Sequence, residues 1–238
     1  LTAAYKDVYT LTVDDGKGTI LVNGVAGSRA LAGDQITVTE TGSDKHHLFS
    51  NWELTSGTAL VEPEADWEHK PSFSFTMPAG NVTLKADYKQ LYDLAVTGGT
   101  IVDENGDTGE TTGIYLPGTE VTIQFTASDE LTKQFKQWTL SGTEPTDLPN
   151  DWQSKPSFSF TMPAGNVNLT AAYKDVYTLT VDDGKGTILV NGVAGNRALA
   201  GDKITVTETG SDEHHLFNRW QLTSGTALVE PEADWEHK

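Results

Sequence analysis

The chain contains much of itself twice. Residues 1–70 recur as residues 169–238 with six changes: Ser28 to Asn196, Gln35 to Lys203, Lys45 to Glu213, Ser50 to Asn218, Asn51 to Arg219 and Glu53 to Gln221. All six exchange one polar side chain for another, while the apolar set of the two copies is identical. A repeat of this kind restricts the chain to an array of small modules, each burying its own apolar residues and turning its variable positions to water.

A diverged copy lies between the two. Lys-Pro-Ser-Phe-Ser-Phe-Thr-Met-Pro-Ala-Gly-Asn-Val occupies Lys70 to Val82 and again Lys155 to Val167, so the true unit is about half the long repeat. Three units are expected, residues 7–89, 90–174 and 175–238, with residues 1–6 as the last strand of a preceding repeat. The third unit stops at Lys238, where the others continue into Pro-Ser-Phe-Ser-Phe, and the sequence therefore reads as a window on a longer array.

Within each unit the apolar period is two, the mark of half-buried strands. Val82, Leu84, Ala86 and Tyr88 alternate with Thr83, Lys85 and Asp87, and Val167, Leu169, Ala171 and Tyr173 repeat the pattern. Phe73, Phe75 and Met77 alternate with serine and threonine, as do Tyr9, Leu11 and Val13 with threonine. Further strands are expected around Thr19–Val22, Ile36–Thr39 and Leu48–Leu54, with turns at Asp14–Gly18 and Asn23-Gly24. The one plausible helical turn lies near Pro63–His69, so each unit reads as mostly β with five or six strands. Phe49 and Trp52 are three apart, like Phe135 with Trp138 and Phe217 with Trp220. A regular strand would point such a pair to opposite faces, which requires either a bulge between them or a strand that begins after the Phe. In a module this small, truncating one buried Trp removes about 3–5 kcal/mol and is enough to unfold it.

The order Tyr-x-Leu-x-Val, Ala32-Gly33-Asp34 (Pro117-Gly118-Thr119 in the middle unit), Phe-x-x-Trp and then Phe75 to Tyr88 resembles the divergent internalin-type B-repeat, related to the Listeria-Bacteroides repeat. The likeness covers each unit nearly end to end. It implies tandem modules of exported bacterial surface proteins, with a β-grasp-like or compact β fold and no enzymatic residues. An acidic stretch, Leu60 to Glu68, departs from the family pattern.

Charge excludes other classes. Lys and Arg number 16 against 34 Asp and Glu, a formal net charge of −18, which opposes nucleic acid and anionic membrane surfaces alike. No apolar run reaches the ~18 residues of a membrane span. Cysteine is absent, so stability must come from packing or from a crosslink other than sulfur, such as Lys-to-Asn isopeptide bonds whose partners the sequence does not identify.

Each candidate site has a plainer explanation. His46-His47 and His214-His215, with His69 or His237 as a third ligand, suggest a metal, but the middle unit has no histidine and adjacent strand residues diverge. Asp103-Glu104-Asn105-Gly106-Asp107 has alternating oxygen ligands and a glycine, yet lacks the distal Glu of a calcium loop and reads as an acidic hairpin tip. Glu62, Glu64, Asp66 and Glu68 read as a solvated rim rather than an acid–base pair. Trp67 and Trp235 beside these acids suggest a sugar-stacking platform, but a core position is the plainer reading. The expectation is a mainly β chain of tandem small modules, β-grasp-like or a compact β-sandwich, arranged as an elongated rod. It has no catalytic, cofactor or metal residues and stands as stalk or spacer of an extracellular adhesin. Its neighbouring repeats are its partners. The alternatives are that the repeats bind a host glycan or protein, or associate head to tail into a filament by strand pairing.

Overall fold

In the first two copies the alternating segments become strands. The computed structural model describes residues 1–102, 108–126, 132–228, 231–233 and 235–237. In the first copy the strands are Val8–Val13 (β1), Gly18–Val22 (β2), Val25–Ala26 (β3), Arg29–Leu31 (β4), Gln35–Glu40 (β5), His47–Gly57 (β6), Ser72–Thr76 (β7) and Val82–Gln90 (β8). Eight strands replace the five or six expected, because β3 and β4 span only two and three residues and are too short to show a period.

The strands form two four-stranded sheets, ordered β4-β1-β8-β6 and β3-β2-β5-β7. At the centre of the first, β1 and β8 run parallel with Leu11 opposite Val82, while the second is antiparallel throughout. Joining parallel neighbours needs a long crossover, and the rest of the module is that crossover. The core draws Leu11, Ala30, Trp52, Val82, Leu84 and Ala86 from one sheet and Ile36, Val38, Phe73 and Phe75 from the other. This is sandwich packing. A β-grasp would need a helix across a sheet, and the described residues hold only three-residue 3-10 turns such as Asp14–Gly16 and Trp67–His69.

Trp52 is 1% exposed, with Phe49 and Phe73 at 5.7 and 6.0 Å between ring centroids. Its indole nitrogen donates to the Lys70 carbonyl at 2.9 Å, supplying the partner a buried N–H requires. The three-residue spacing is resolved by a bulge. Phe49 pairs with Tyr88 and Asn51 with Asp87, so Ser50 is the extra residue that turns Phe49 and Trp52 to the same face.

The second copy repeats the plan with Tyr92–Thr97 (β9), Gly99–Val102 (β10), Thr108–Glu110 (β11), Thr112–Tyr115 (β12), Glu120–Phe125 (β13), Lys133–Gly142 (β14), Ser157–Thr161 (β15) and Val167–Thr178 (β16). Its sheets run β12-β9-β16-β14 and β11-β10-β13-β15, with β9 parallel to β16 and Leu94 opposite Val167. Trp138, 1% exposed, donates to the Lys155 carbonyl at 2.9 Å as Trp52 does to Lys70.

The third copy contributes Gly186–Val190 (β17), Val193–Ala194 (β18), Arg197–Leu199 (β19) and Ile204–Glu208 (β20). β18, β17 and β20 form one sheet, and β19 pairs with Val176–Thr178 of β16. Residues 209–228 carry no strand. Val206 is 40% exposed where its counterpart Val38 is fully buried, since β20 pairs only with β17 among the described strands. The chain divides into two compact units, Leu1–Thr126 with Gln137–Ala172, and Ala127–Lys136 with Tyr173–Lys238.

Candidate functional site

The acidic stretch is ordered by the strand it borders. Glu62 and Asp66 take left-handed backbone, φ 48° and 53°, which lets the chain fold back along β7, the outer strand of its sheet. The Val61 carbonyl accepts from the Thr76 amide at 2.8 Å, and the Glu64 amide donates to the Ser74 carbonyl at 3.2 Å. The Glu64 carboxylate accepts from the Ser74 amide at 3.0 Å and from the Lys70 ammonium at 2.8 Å. The Lys70 bond, opposed by partial burial, holds this carboxyl below its usual range. In the second copy both carboxylate oxygens of Asp147 take the amide of Thr161, the counterpart of Thr76, at 3.1 and 3.0 Å. These acids cover an edge strand whose amides would otherwise be open to pairing.

Trp67 is half-buried, its ring 4.9 Å from Phe73, and Trp152 lies 5.5 Å from Phe158. One face of each ring is thus committed to the core. Trp235 is half-buried in the turn Trp235–His237.

His46, His47, His214 and His215 go to carboxylates. Asp44 accepts from the amides of His46 and His47 at 2.7 and 2.8 Å and from the His47 ring at 2.8 Å, and Asp212 does the same for His214 and His215. The His46 ring turns the other way, to Asp93 at 3.0 Å. His69 lies in the Trp67–His69 turn. Among the described residues no group of three or more His, Cys, Asp or Glu is placed to hold a metal. The Asp103–Asp107 segment lies outside the described residues. A shallow depression of about 440 Å³ beside Leu179, Val181 and Ile188 has no titratable side chain in its lining.

A half-buried polar knot joins β5 to β8. The Tyr88 hydroxyl accepts from the Gly42 amide at 3.1 Å and donates to Glu40 at 3.0 Å, with the Lys17 ammonium 4.9 Å above the ring. Burial, then the hydrogen bond to Glu40 and its charge, push the Tyr88 phenol up to about 12. Burial also raises Glu40, but hydrogen bonds from Ser43, Tyr88 and Gly42 outweigh it and leave the carboxyl low.

The junctions between repeats draw His46, singled out above for a metal, and Lys45, one of the six changed positions, into a contact that neither signal points to. β8 ends at Gln90 and β9 begins at Tyr92, so Leu91 alone separates them. Its amide donates to the His46 carbonyl at 2.8 Å. Asp93, two residues on, receives His46 at 3.0 Å and the Lys45 ammonium at 3.4 Å. The His46 bond, opposed by partial burial and aided by Lys45, holds its carboxyl low. At the next junction β16 runs from Val167 to Thr178 without a break. The Val176 amide donates to the Thr132 carbonyl at 2.8 Å, and Lys133 pairs with Asp175 while lying 4.2 Å over the Tyr173 ring. The only sequence sign of these contacts is the lack of any spacer between Tyr88 and Tyr92.

A family model, the divergent InlB B-repeat domain, matches residues 9–91 and again residues 92–176. The chain belongs to the divergent InlB B-repeat family. No curated protein matches it. Its B-repeats stand in tandem and are of the bacterial surface-protein type. The two matched B-repeats meet between Leu91 and Tyr92, beside the amide that the His46 carbonyl holds. The B-repeat's most specific segment now has physical content. Met77 is buried at 1% exposure, and Asn81 accepts the Thr10 amide of β1 at 2.9 Å, as Asn166 accepts that of Asp93 at 3.0 Å. The stretch Leu60–Glu68, expected to depart from the B-repeat pattern, lies within the first match and covers β7.

Proposed function

We propose that these B-repeats are spacer modules of an extracellular bacterial adhesin, carrying a distal binding region away from the cell, with no chemistry of their own. One observation carries this reading: successive repeats are joined strand to strand with at most one residue between, and the same backbone hydrogen bond fastens both junctions. A linker with no slack resists bending, since bending must break paired backbone groups that water replaces at little gain. Six aromatic residues support the reading from another side, because Trp52, Phe73 and Phe75 in the first repeat and Trp138, Phe158 and Phe160 in the second are buried in cores. The high negative charge keeps densely displayed chains apart.

Small-angle scattering of the chain tests the proposal. The maximum dimension should increase by roughly 30 Å for each B-repeat added. A compact ensemble whose size barely changes with repeat number would overturn it. Capture of a glycan or host protein by the isolated repeats would move the function from spacing to binding.

A further inference from the structure

Between the first and third copies the junction loop Asp44–His47 differs at one position, and the difference is one of charge. In the first copy Asp44 holds the backbone of His46 and His47 in place, which fixes where Lys45 and His46 project. Both meet Asp93 of the following repeat, at 3.4 and 3.0 Å. In the third copy the scaffold is unchanged, with Asp212 accepting from the amides of His214 and His215 at 2.7 Å. Yet Glu213 stands where Lys45 does, and it lies 3.5 Å from His214. The residue that enters the junction also varies: Asp93 in the second repeat, Thr10 and Thr178 at the equivalent place in the first and third. Where Thr178 enters, Lys133 pairs instead with Asp175 in the strand that closes the second repeat.

We propose that the loop Asp44–His47 is a docking element that selects the repeat allowed to follow it, through the charge at the position of Asp93. The loop carrying Lys45 takes an acidic residue there. The loop carrying Glu213 rejects an acid there and takes an uncharged or a basic residue. Backbone pairing is common to both junctions and fastens any repeat; side-chain charge adds the discrimination, by penalising like charges brought together. Repeats that share a fold are then not interchangeable in order. The inference concerns the contact between two repeats and stands whatever the array carries.

Charge exchange in the full chain tests it. Lys45 is 66% exposed and the chain already tolerates glutamate at the matching position, so K45E should fold. Amide exchange at Leu91, whose proton bonds His46, reports opening of the junction. At low salt K45E and D93K should each speed that exchange about two- to fivefold, the range of an exposed ion pair, with β5 amides unchanged. K45E combined with D93K should return it to the wild-type rate, and ~1 M salt should erase the differences. Unchanged Leu91 exchange in the single variants, or a double variant no slower than the faster single, would overturn the proposal. Neither result bears on spacing, which rests on the continuous backbone.

Discussion

Tyr88 illustrates what one residue does in this fold. Alternation along β8 marks it as an inward position, and it is one; its ring lies 6.1 Å from Phe49. Its hydroxyl partner, Glu40, is distant in sequence, and no local pattern points there. The phenol titrates at about 10 in an unfolded chain and at about 12 here. A raised acid stabilises the fold wherever it is protonated in both states, so this contribution is complete below pH 10 and lost as pH rises from 10 to 12. Y88F should abolish that alkaline loss, worth about 1–2 kcal/mol after allowance for solvent screening, and should lose about 1 kcal/mol at neutral pH through the missing hydrogen bond. Urea unfolding of both proteins at pH 7 and pH 11.5 measures the two effects. A Y88F stability curve with the same alkaline fall as wild type would assign that fall elsewhere.

Among the elements, edge strand β7 depends most on residues outside any strand. Ser-Phe-Ser-Phe-Thr announces β7 by its period, but nothing in the period says that β7 lies at an edge or what shields it. The shield is the stretch Leu60–Glu68, which by composition alone is an acidic, solvated rim. E64A removes the acceptor of the Ser74 amide, so that amide should exchange several-fold faster, while the Thr76 amide, bonded to the Val61 carbonyl, keeps its protection. Equal acceleration at both would mean the loop moves as one body. The Phe49–Trp52 spacing was more legible, since it demanded a bulge or a late strand start, and β6 takes the bulge. The glycine that opens β10 is explained only by packing. A Cβ on Gly99 would come within 2.4 Å of the Trp138 ring and 2.6 Å of the Gln124 carbonyl.

At the scale of the whole molecule, charge sets the response to acid. Carboxyls held low by their partners include Asp34 through Asn23, Asp44 through His47 and Asp93 through His46. Each stabilises the fold above the ordinary carboxylate range and ceases to as pH falls through its depressed value. The net charge of −18 works the other way, because its repulsion eases toward the isoelectric point near 4.5. The urea midpoint should therefore hold or rise from pH 7 to about 5 and fall steeply below about 4. A monotonic decline from pH 7 would mean the low carboxyls contribute little. By itself the sequence determined that the chain is an array, that its modules are β and which family they belong to. Repetition and alternation are periodic, and a period is written along the chain. Only the tertiary structure decided between sandwich and grasp, which acids bond which amides, and how Lys45 and His46 meet Asp93. Those pairings depend on distance in space between groups far apart or unmarked in sequence, and a polar side chain has the same composition whether it finds water or a partner.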